Sequence, residues 1–291
     1  MLYKVSRLFA VFLAVILLSA LSACASPGEE NITLVDNLTP TYTPAPPARA
    51  NAVSLTVFAA ASLNAAFKEI GNAFEAAHPG VTMVYNFAGS QQLAQQINQG
   101  APADVFASAN QLQMTNAVSG GRILSETQQI FVMNRLVVIT PTRNPASINN
   151  LQDLAKPGLK LVLADKSVPA GQYASDFLDL AAKDPSFGVN FKARVLNNVV
   201  SYENDVKAVL TKVELGEGDA GIVYTTDAAG AGPEKVGQLV IPDALNVIAA
   251  YPIAPVKDSP HEELAREFIS YVLSADGQKT LAKFGFIPVK K

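Results

Sequence analysis

Two serines occupy positions at which a short apolar strand gives way to helical spacing. Ser62 lies in FAAASLNAAF, residues 58–67, and Ser90 lies in NFAGSQQLAQQI, residues 86–97. The first turn of a helix leaves backbone N–H groups without partners and carries about half a positive charge. A serine there is expected to be the N-cap of the helix, and its hydroxyl and N–H can also bind an anion.

Two further helix starts lack basic side chains. VPAGQYASDF places Ala170 at the start of a helix, after a strand that ends at Asp165, and NDVKAVL places Val206 in another first turn. Tyr224 ends the apolar strand AGIVY and offers a phenol, although a tyrosine at a strand end is more often a core residue. Several helix N-termini that converge form an anion site without lysine or arginine.

Strands and helices alternate from Val53 onward. The predicted strands are 53–58, 81–87, 104–108, 135–140, 159–165, 220–224 and 246–256, and the predicted helices are 64–78, 90–98, 170–182, 203–215 and 261–273. This order is typical of α/β proteins with mainly parallel sheets, in which ligands bind beyond the carboxyl ends of the strands. The helix starts described above are therefore expected at one site.

The N-terminal segment predicts an exported protein that is anchored to a membrane. A basic segment precedes the apolar stretch 8–21, which is too short to span a bilayer comfortably. Cys24 stands at the expected cleavage point, so residues 1–23 resemble a bacterial lipoprotein signal; the alternative is an ordinary signal peptide with an incidental cysteine. Residues 24–52 contain many prolines and threonines and predict an extended tether. Because Cys24 is the one cysteine, a disulfide framework and a cysteine-based metal site are excluded.

Charge and residue types argue against several functions. The net charge is −3 and no basic stripe is present, so nucleic acid is not an expected partner. A serine hydrolase would need a base beside Ser62 or Ser90. The two histidines, His78 and His261, are both expected on the solvated surface, away from these serines. We therefore predict that the protein is not an enzyme and needs no cofactor, and a serine-dependent hydrolase remains the less favoured alternative.

Six segments occur in the order and spacing of a known family: FAAASL, NFAGSQQLAQQI, GAPADVFASAN, VPAGQYA, NDVKAVLTKVELGEGDAGIVYTTDA and AAYPIAPVKDS. Together they resemble the molybdate-binding proteins of bacterial molybdate ABC transporters, which are type II periplasmic binding proteins. The resemblance implies a two-lobed α/β fold, in which each lobe is a mostly parallel sheet flanked by helices and the ligand lies in the cleft. Strand placement puts lobe I at 53–139 plus 249–291 and lobe II at 140–248.

Matched motif by motif, the resemblance implies an oxyanion site made of neutral donors. Ser62 and Ser90 would each supply a hydroxyl and a backbone N–H, Ala170 and Val206 would supply backbone N–H groups, and Tyr224 would supply its phenol. The metal atom of the oxyanion would have no direct protein ligand. Neutral donors of this kind cannot accept a proton, which disfavours hydrogen phosphate, and cavity size would separate molybdate from the smaller sulfate.

The implied function is capture of molybdate, and of tungstate, outside the cytoplasm and delivery to the membrane permease of an ABC importer. The protein would be a monomer held at the membrane by a lipid on Cys24. Another tetrahedral oxyanion such as sulfate is the alternative ligand. Asn110 replaces an acid that is frequent in relatives, and Thr225 and Thr226 also depart from the family pattern; none of the three is expected to touch the ion.

Replacing Cys24 with serine removes the thiol to which the lipid would be attached. We expect the Cys24→Ser variant to move from the membrane fraction to the soluble fraction, because the acyl chains supply the membrane affinity. Immunoblotting of the two fractions measures this, and Ser26→Ala, two positions along the same segment, is the matched control. Unchanged membrane association of Cys24→Ser would contradict the prediction.

Overall fold

Two mixed sheets flanked by helices organise residues 52–289, the part of the chain that the computed structural model describes. The predicted signal peptide, Cys24 and all of the tether except Ala52 lie outside the described residues. In chain order the strands are β1 (Val53–Ala60), β2 (Val81–Ala88), β3 (Val105–Ala107), β4 (Gln129–Asn134), β5 (Leu136–Pro141), β6 (Leu161–Ala164), β7 (Val199–Glu203), β8 (Ala220–Tyr224), β9 (Val236–Val240), β10 (Ala249–Pro255) and β11 (Ile287–Pro288).

The helices cover both sheets. They are α1 (Asn64–Ala77), α2 (Ser90–Asn98), α3 (Gln111–Ser119), α4 (Pro169–Ala181), α5 (Phe191–Asn197), α6 (Val206–Glu214), α7 (Thr225–Ala231), α8 (Glu262–Leu273) and α9 (Ala275–Lys283). Short 3₁₀ turns lie at Ala61–Leu63, Ser125–Thr127, Leu151–Ala155 and Pro185–Phe187. Each helix within residues 52–289 is too short or too polar to cross a lipid bilayer.

The six-stranded sheet has the order β11-β4-β10-β3-β1-β2 and, with α1–α3, α8 and α9, forms lobe I. The five-stranded sheet has the order β7-β6-β8-β5-β9 and, with α4–α7, forms lobe II. This two-lobed α/β architecture confirms the predicted fold class.

Both sheets are mixed, so the prediction of mostly parallel sheets is wrong in that detail. In lobe I, β1 pairs in parallel with β2 and β3, whereas β10 is antiparallel to β3 and β4, and β11 is antiparallel to β4. In lobe II, β6 is parallel to β7 and β8, whereas β5 is antiparallel to β8 and β9. The antiparallel strands include β5 and β10, which enter their sheets directly from the other lobe. In a βαβ unit, a helical crossover within one sheet makes the two strands parallel. β5 and β10 do not follow such a crossover, so their direction is not fixed in that way.

The chain passes from lobe I to lobe II at Arg135, the single residue between β4 and β5. Residues 136–139, which the sequence places in lobe I, therefore belong to the sheet of lobe II. The return strand β10 begins at Ala249, which is paired with Asn134, the last residue of β4. The two connections between the lobes consequently lie side by side.

Aromatic side chains fill the centre of lobe I. α1 presents Phe67, Ile70 and Phe74 on one face, at the spacing of an amphipathic helix, and all three are buried. Phe268 of α8 contacts Phe67 and Phe74 edge to face, with ring centroids 6.0 and 5.3 Å apart. This geometry is the favourable one for aromatic pairs, and it fixes α1 against α8 on the sheet.

Truncating Phe268 should destabilise the protein strongly. The side chain is fully buried, so Phe268→Ala removes its transfer free energy and leaves a cavity, at a cost of about 3–5 kcal/mol in the free energy of unfolding. Urea unfolding followed by circular dichroism measures the loss. Val189→Ala is the control, because Val189 is 83% exposed and should change stability by less than about 0.5 kcal/mol. Similar midpoints for both variants would contradict the packing described here.

Candidate ligand-binding site

The five predicted site residues line one cavity between the lobes, and all five are buried. Lobe I contributes Ala60, Ala61, Ser62, Ala88, Gly89, Ser90 and Ala109, and lobe II contributes Val168, Pro169, Ala170, Asp205, Val206 and Tyr224. The space that the centre of a water-sized sphere can occupy is about 10 Å³. Pockets for drug-sized organic ligands are usually about 300–1,000 Å³, so this cavity is far too small for such a ligand and suits a small ion.

Ser62 does not cap a helix, contrary to the sequence-based expectation. β1 ends at Ala60, and the 3₁₀ turn Ala61–Leu63 precedes α1, so Ser62 lies inside that turn. Its Oγ is 3.0 Å from the phenol oxygen of Tyr251, a buried residue of β10. The hydroxyl of Ser62 is therefore hydrogen-bonded to a side chain of its own lobe and not to the backbone of α1.

Ser90 is the first residue of α2, and it also does not act as an N-cap. Gly89 takes the N-cap position, and Ser90 Oγ accepts a hydrogen bond of 3.0 Å from the backbone N–H of Ala109. A Cβ atom at Gly89 would clash with the carbonyl oxygen of Asn204 and with the side chain of Gln91. Glycine at this position therefore allows the lobe II loop to approach the N-terminus of α2 closely.

The lobe II side of the cavity consists of two helix N-termini. Ala170 is the second residue of α4 and follows Pro169, whose lack of an N–H costs nothing at the first helical position. Val206 is the first residue of α6, where backbone N–H groups have no partner within the helix. The neighbouring Asp205 side chain caps α6 by accepting a 3.0 Å bond from the N–H of Ala208. Among the described residues, Asp205 supplies the carboxylate that lines the cavity, and this carboxylate is hydrogen-bonded to the N-terminus of its own helix.

Tyr224 is buried with its phenol at the wall of the cavity. It is 1% exposed, and within residues 52–289 no group forms a hydrogen bond with its phenol oxygen. A buried polar group without a partner costs about 1–3 kcal/mol. Burial raises the pKa of Tyr224 well above its ordinary value of about 10, so the phenol stays protonated and can donate to an acceptor in the cavity.

The electrostatics of the cavity come from dipoles and not from basic side chains. Among the described residues, no lysine, arginine or histidine lines it. Lys207 of α6 is paired with Asp227, Nζ to Oδ1 2.8 Å, and the Asp227 carboxylate also accepts the Tyr224 N–H. Burial raises the pKa of Asp227, and Lys207 opposes that rise. Within residues 52–289, no cluster of three histidine, cysteine, aspartate or glutamate side chains could hold a metal ion.

Hydrogen bonds between the lobes surround the cavity, and the sequence did not reveal them. Asn110 caps α3 by accepting a hydrogen bond from the backbone N–H of Gln113, and its side chain also donates across the cleft. Its departure from the family pattern did not suggest this second role. Three of these bonds are Asn110 Nδ2 to Gln172 Oε1 (2.9 Å), Gln113 Nε2 to the Ser167 carbonyl (3.0 Å) and Gln91 Nε2 to the Asn204 carbonyl (2.8 Å). The available signal was the clustering of glutamine and asparagine at the starts of the α2 and α3 segments.

Both histidines lie away from the cavity. The ring of His78, at the end of α1, faces Glu267, with Nε2 to Oε2 3.4 Å, and His261, just before α8, has Nδ1 3.3 Å from Asp104. Each side chain is about one-third exposed and lies beside a carboxylate, so both histidines are at the surface but partly covered. Among the described residues, no histidine is placed to act as a base for either cavity serine.

Two α/β lobes that enclose a small cavity of neutral donors define the class of solute-binding proteins. The chain matches the family model for bacterial extracellular solute-binding proteins over residues 55–287, and it belongs to that family. It is 39% identical over 247 residues to the molybdate-binding protein ModA of Mycobacterium tuberculosis, an alignment that covers 85% of this chain and 89% of the relative.

Solved structures agree with this assignment. The substrate-binding domain of a putative molybdenum ABC transporter from Clostridium difficile is 32% identical with a TM-score of 0.60, covering 82% of this chain and all of that one. The sulfate-binding protein SubI from Mycobacterium tuberculosis has a TM-score of 0.74 at 20% identity, covering 82% of this chain and 88% of that one. At that identity, the likeness to SubI concerns the fold alone.

Proposed function

We propose that this protein captures molybdate between its lobes outside the cytoplasm and delivers it to the membrane permease of an ABC importer. The observation that carries the proposal is the buried, unpartnered phenol of Tyr224 in a cavity otherwise lined by serine hydroxyls and helix N-termini. The relatives named for molybdate binding support the choice of ion. The protein acts by binding and release and catalyses no reaction.

Binding follows from the need of a buried dianion for a hydrogen bond at every oxygen, since an unpaired buried charge is very costly. Ser62 and Ser90 donate from lobe I, and the N–H groups of Ala170 and Val206 with the Tyr224 phenol donate from lobe II. Bonds from neutral donors to a charged acceptor are about twice as strong as neutral ones. Because the donors belong to both lobes, the ion stabilises the closed arrangement, and separation of the lobes exposes it for release.

The donor set also selects the ligand. When the N–H and O–H groups of the cavity all donate to the ion and the Asp205 carboxylate is bonded to its own helix, the proton of hydrogen phosphate has no acceptor. Sulfate shares the charge of molybdate but is smaller, so its oxygens would not reach donors on both lobes at once. Tungstate nearly shares both charge and size with molybdate, and we propose that it binds in the same way. Directly coordinated metal and bound cofactors play no part in this proposal.

The N-terminal features determine where capture takes place in this proposal. The lipoprotein-type signal at residues 1–23 directs export, and Cys24 carries the lipid that holds the protein at the membrane. The tether that follows, residues 24–52, would reach up to roughly 90 Å at about 3 Å per extended residue. A monomer on such a tether can collect the ion away from the membrane and still meet the permease.

Removing single donors should weaken molybdate binding without unfolding the protein. Ser62→Ala and Tyr224→Phe each leave an oxygen of the dianion short of one charge-assisted bond, which costs about 1.5–3 kcal/mol, or roughly ten- to a hundredfold in Kd. Calorimetric titration with molybdate, tungstate, sulfate and phosphate measures this. Tyr85→Phe is the control, because its phenol donates to the Phe67 carbonyl within lobe I and does not line the cavity. Unchanged affinity in both site variants, or equal affinity of wild type for sulfate, would refute the proposal.

The affinity of the wild type for molybdate should be constant between about pH 6 and pH 9. Burial raises the pKa of Tyr224 above its ordinary value of about 10, so this donor keeps its proton across the range. Among the described residues no histidine, the side chain that ordinarily titrates near neutrality, lines the cavity. Titrations at four pH values across this range measure the dependence. A tenfold change in Kd would show that a titrating side chain takes part.

A further inference from the structure

A chain of hydrogen bonds connects the crossing between the lobes to the cavity. Asn134 is the last residue of β4, and Tyr251 lies beside it on β10; both side chains are fully buried. The phenol oxygen of Tyr251 is 3.4 Å from Asn134 Nδ2 and 3.0 Å from Ser62 Oγ. The chain therefore runs from Asn134 through Tyr251 to Ser62, which faces the cavity.

The orientation of the Asn134 amide gives this chain a direction. Its Oδ1 accepts from the backbone N–H of Arg135 at 2.9 Å, a group that can only donate, and from Thr225 Oγ1 at 3.1 Å. The amide nitrogen must then face the opposite side, where it lies 2.8 Å from Thr226 Oγ1 and 3.4 Å from Tyr251. Since an amide nitrogen only donates, the phenol oxygen of Tyr251 is an acceptor in that bond.

The direction continues to Ser62. The 3.0 Å distance between the Tyr251 phenol and Ser62 Oγ allows either oxygen to donate. Asn134 already donates to the phenol, and among the described residues Ser62 Oγ is the hydrogen-bonded acceptor for its single proton, so both groups are satisfied when the phenol donates and the serine accepts. Burial raises the pKa of Tyr251 above its ordinary value, which keeps that proton in place at neutral pH. Because the rear lone pair of Ser62 is occupied, its own proton is left for the cavity.

Ser90 is also held as a donor to the cavity, by a single hydrogen bond from the backbone. Its Oγ accepts from the backbone N–H of Ala109 at 3.0 Å, and a backbone N–H cannot reverse its role. The hydroxyl of Ser90 therefore also offers its proton forward. Lobe I thus presents both serines to the cavity as donors.

We propose that Tyr251 and Asn134 are positioning residues that force Ser62 to donate, and that they thereby determine specificity for fully deprotonated oxyanions. The inference rests on the proposed function, because it concerns the ion bound at that site. Without the Tyr251 proton, the Ser62 hydroxyl could rotate and accept a proton from a P–OH group. The chain then acts against hydrogen phosphate and dihydrogen phosphate without touching either ion.

A double-mutant cycle tests the chain. Tyr251→Phe keeps the ring but removes the proton that holds Ser62, so we expect a loss of molybdate affinity of about three- to tenfold. In the Ser62→Ala background, the same change should alter Kd by less than about twofold, because no hydroxyl is left to orient. The ratio of the phosphate Kd to the molybdate Kd at pH 6 should fall about tenfold in Tyr251→Phe and stay unchanged in the matched control Tyr85→Phe.

A second variant keeps the inference testable if Tyr251→Phe does not fold. Asn134→Ala leaves the Tyr251 phenol in place but removes the donor that sets its direction. We expect it to lower the phosphate-to-molybdate Kd ratio in the same sense, by a smaller factor than Tyr251→Phe. A ratio equal to that of wild type in this variant would overturn the directional role of Asn134.

Other outcomes of the cycle decide the matter. Equal losses from Tyr251→Phe with and without the Ser62 hydroxyl would overturn the inference, because Tyr251 would then act through packing. Repeating the cycle in the Tyr224→Phe background tests whether Tyr251 acts through Tyr224, whose ring centroid is 5.7 Å from that of Tyr251. Coupling to Tyr224 in place of Ser62 would also overturn it. A folded wild type that binds no molybdate would refute the proposed function itself, and the inference with it.

Discussion

A charged ion can be buried without a basic side chain only if enough oriented dipoles surround it, and most of this structure serves that requirement. One helix N-terminus offers only a few free N–H groups, so several must converge. In this protein they come from α2, α4 and α6, with the turn before α1, and from both lobes. Two lobes are therefore a consequence of how the site is made, since the strand-to-helix junctions of a single sheet would approach the ion from one side.

The same requirement explains the small residues at the junctions. Alanines at the end of β1, Gly89 before α2 and Ala170 in α4 allow backbone groups to come close to one another. Larger side chains would hold the dipoles apart and would fill the cavity. Two polar side chains that line the cavity, Ser62 and Ser90, are each hydrogen-bonded within lobe I, so their orientation is already set in the folded protein.

The sequence predicted the features that local chemistry determines. Hydrophobic spacing located the strand-to-helix junctions, and family motifs selected five of the residues that line the cavity. The sequence did not reveal the features that depend on distant segments. These are the pairing direction of β5 and β10, the partner of Ser62 on β10, and the role of the Asn134 amide where the chain crosses between the lobes. Local chemistry favoured N-capping by the two serines, but in the structure their hydroxyls form hydrogen bonds with Tyr251 and Ala109 instead. The two-residue strand β11 is too short for any periodicity to be recognised.

The crossing at Arg135 has a consequence for the thermodynamics of capture. Two bodies joined by a long flexible linker must give up most of their relative translation and rotation when a ligand connects them, and that entropy opposes binding. Here one residue separates β4 from β5, and the return strand β10 pairs directly with β4 beside it. The two lobes therefore keep few relative degrees of freedom even before an ion arrives. Most of the entropy of bringing the two halves of the site together is already lost when the chain folds, so a small ion with few contacts can still close the cleft.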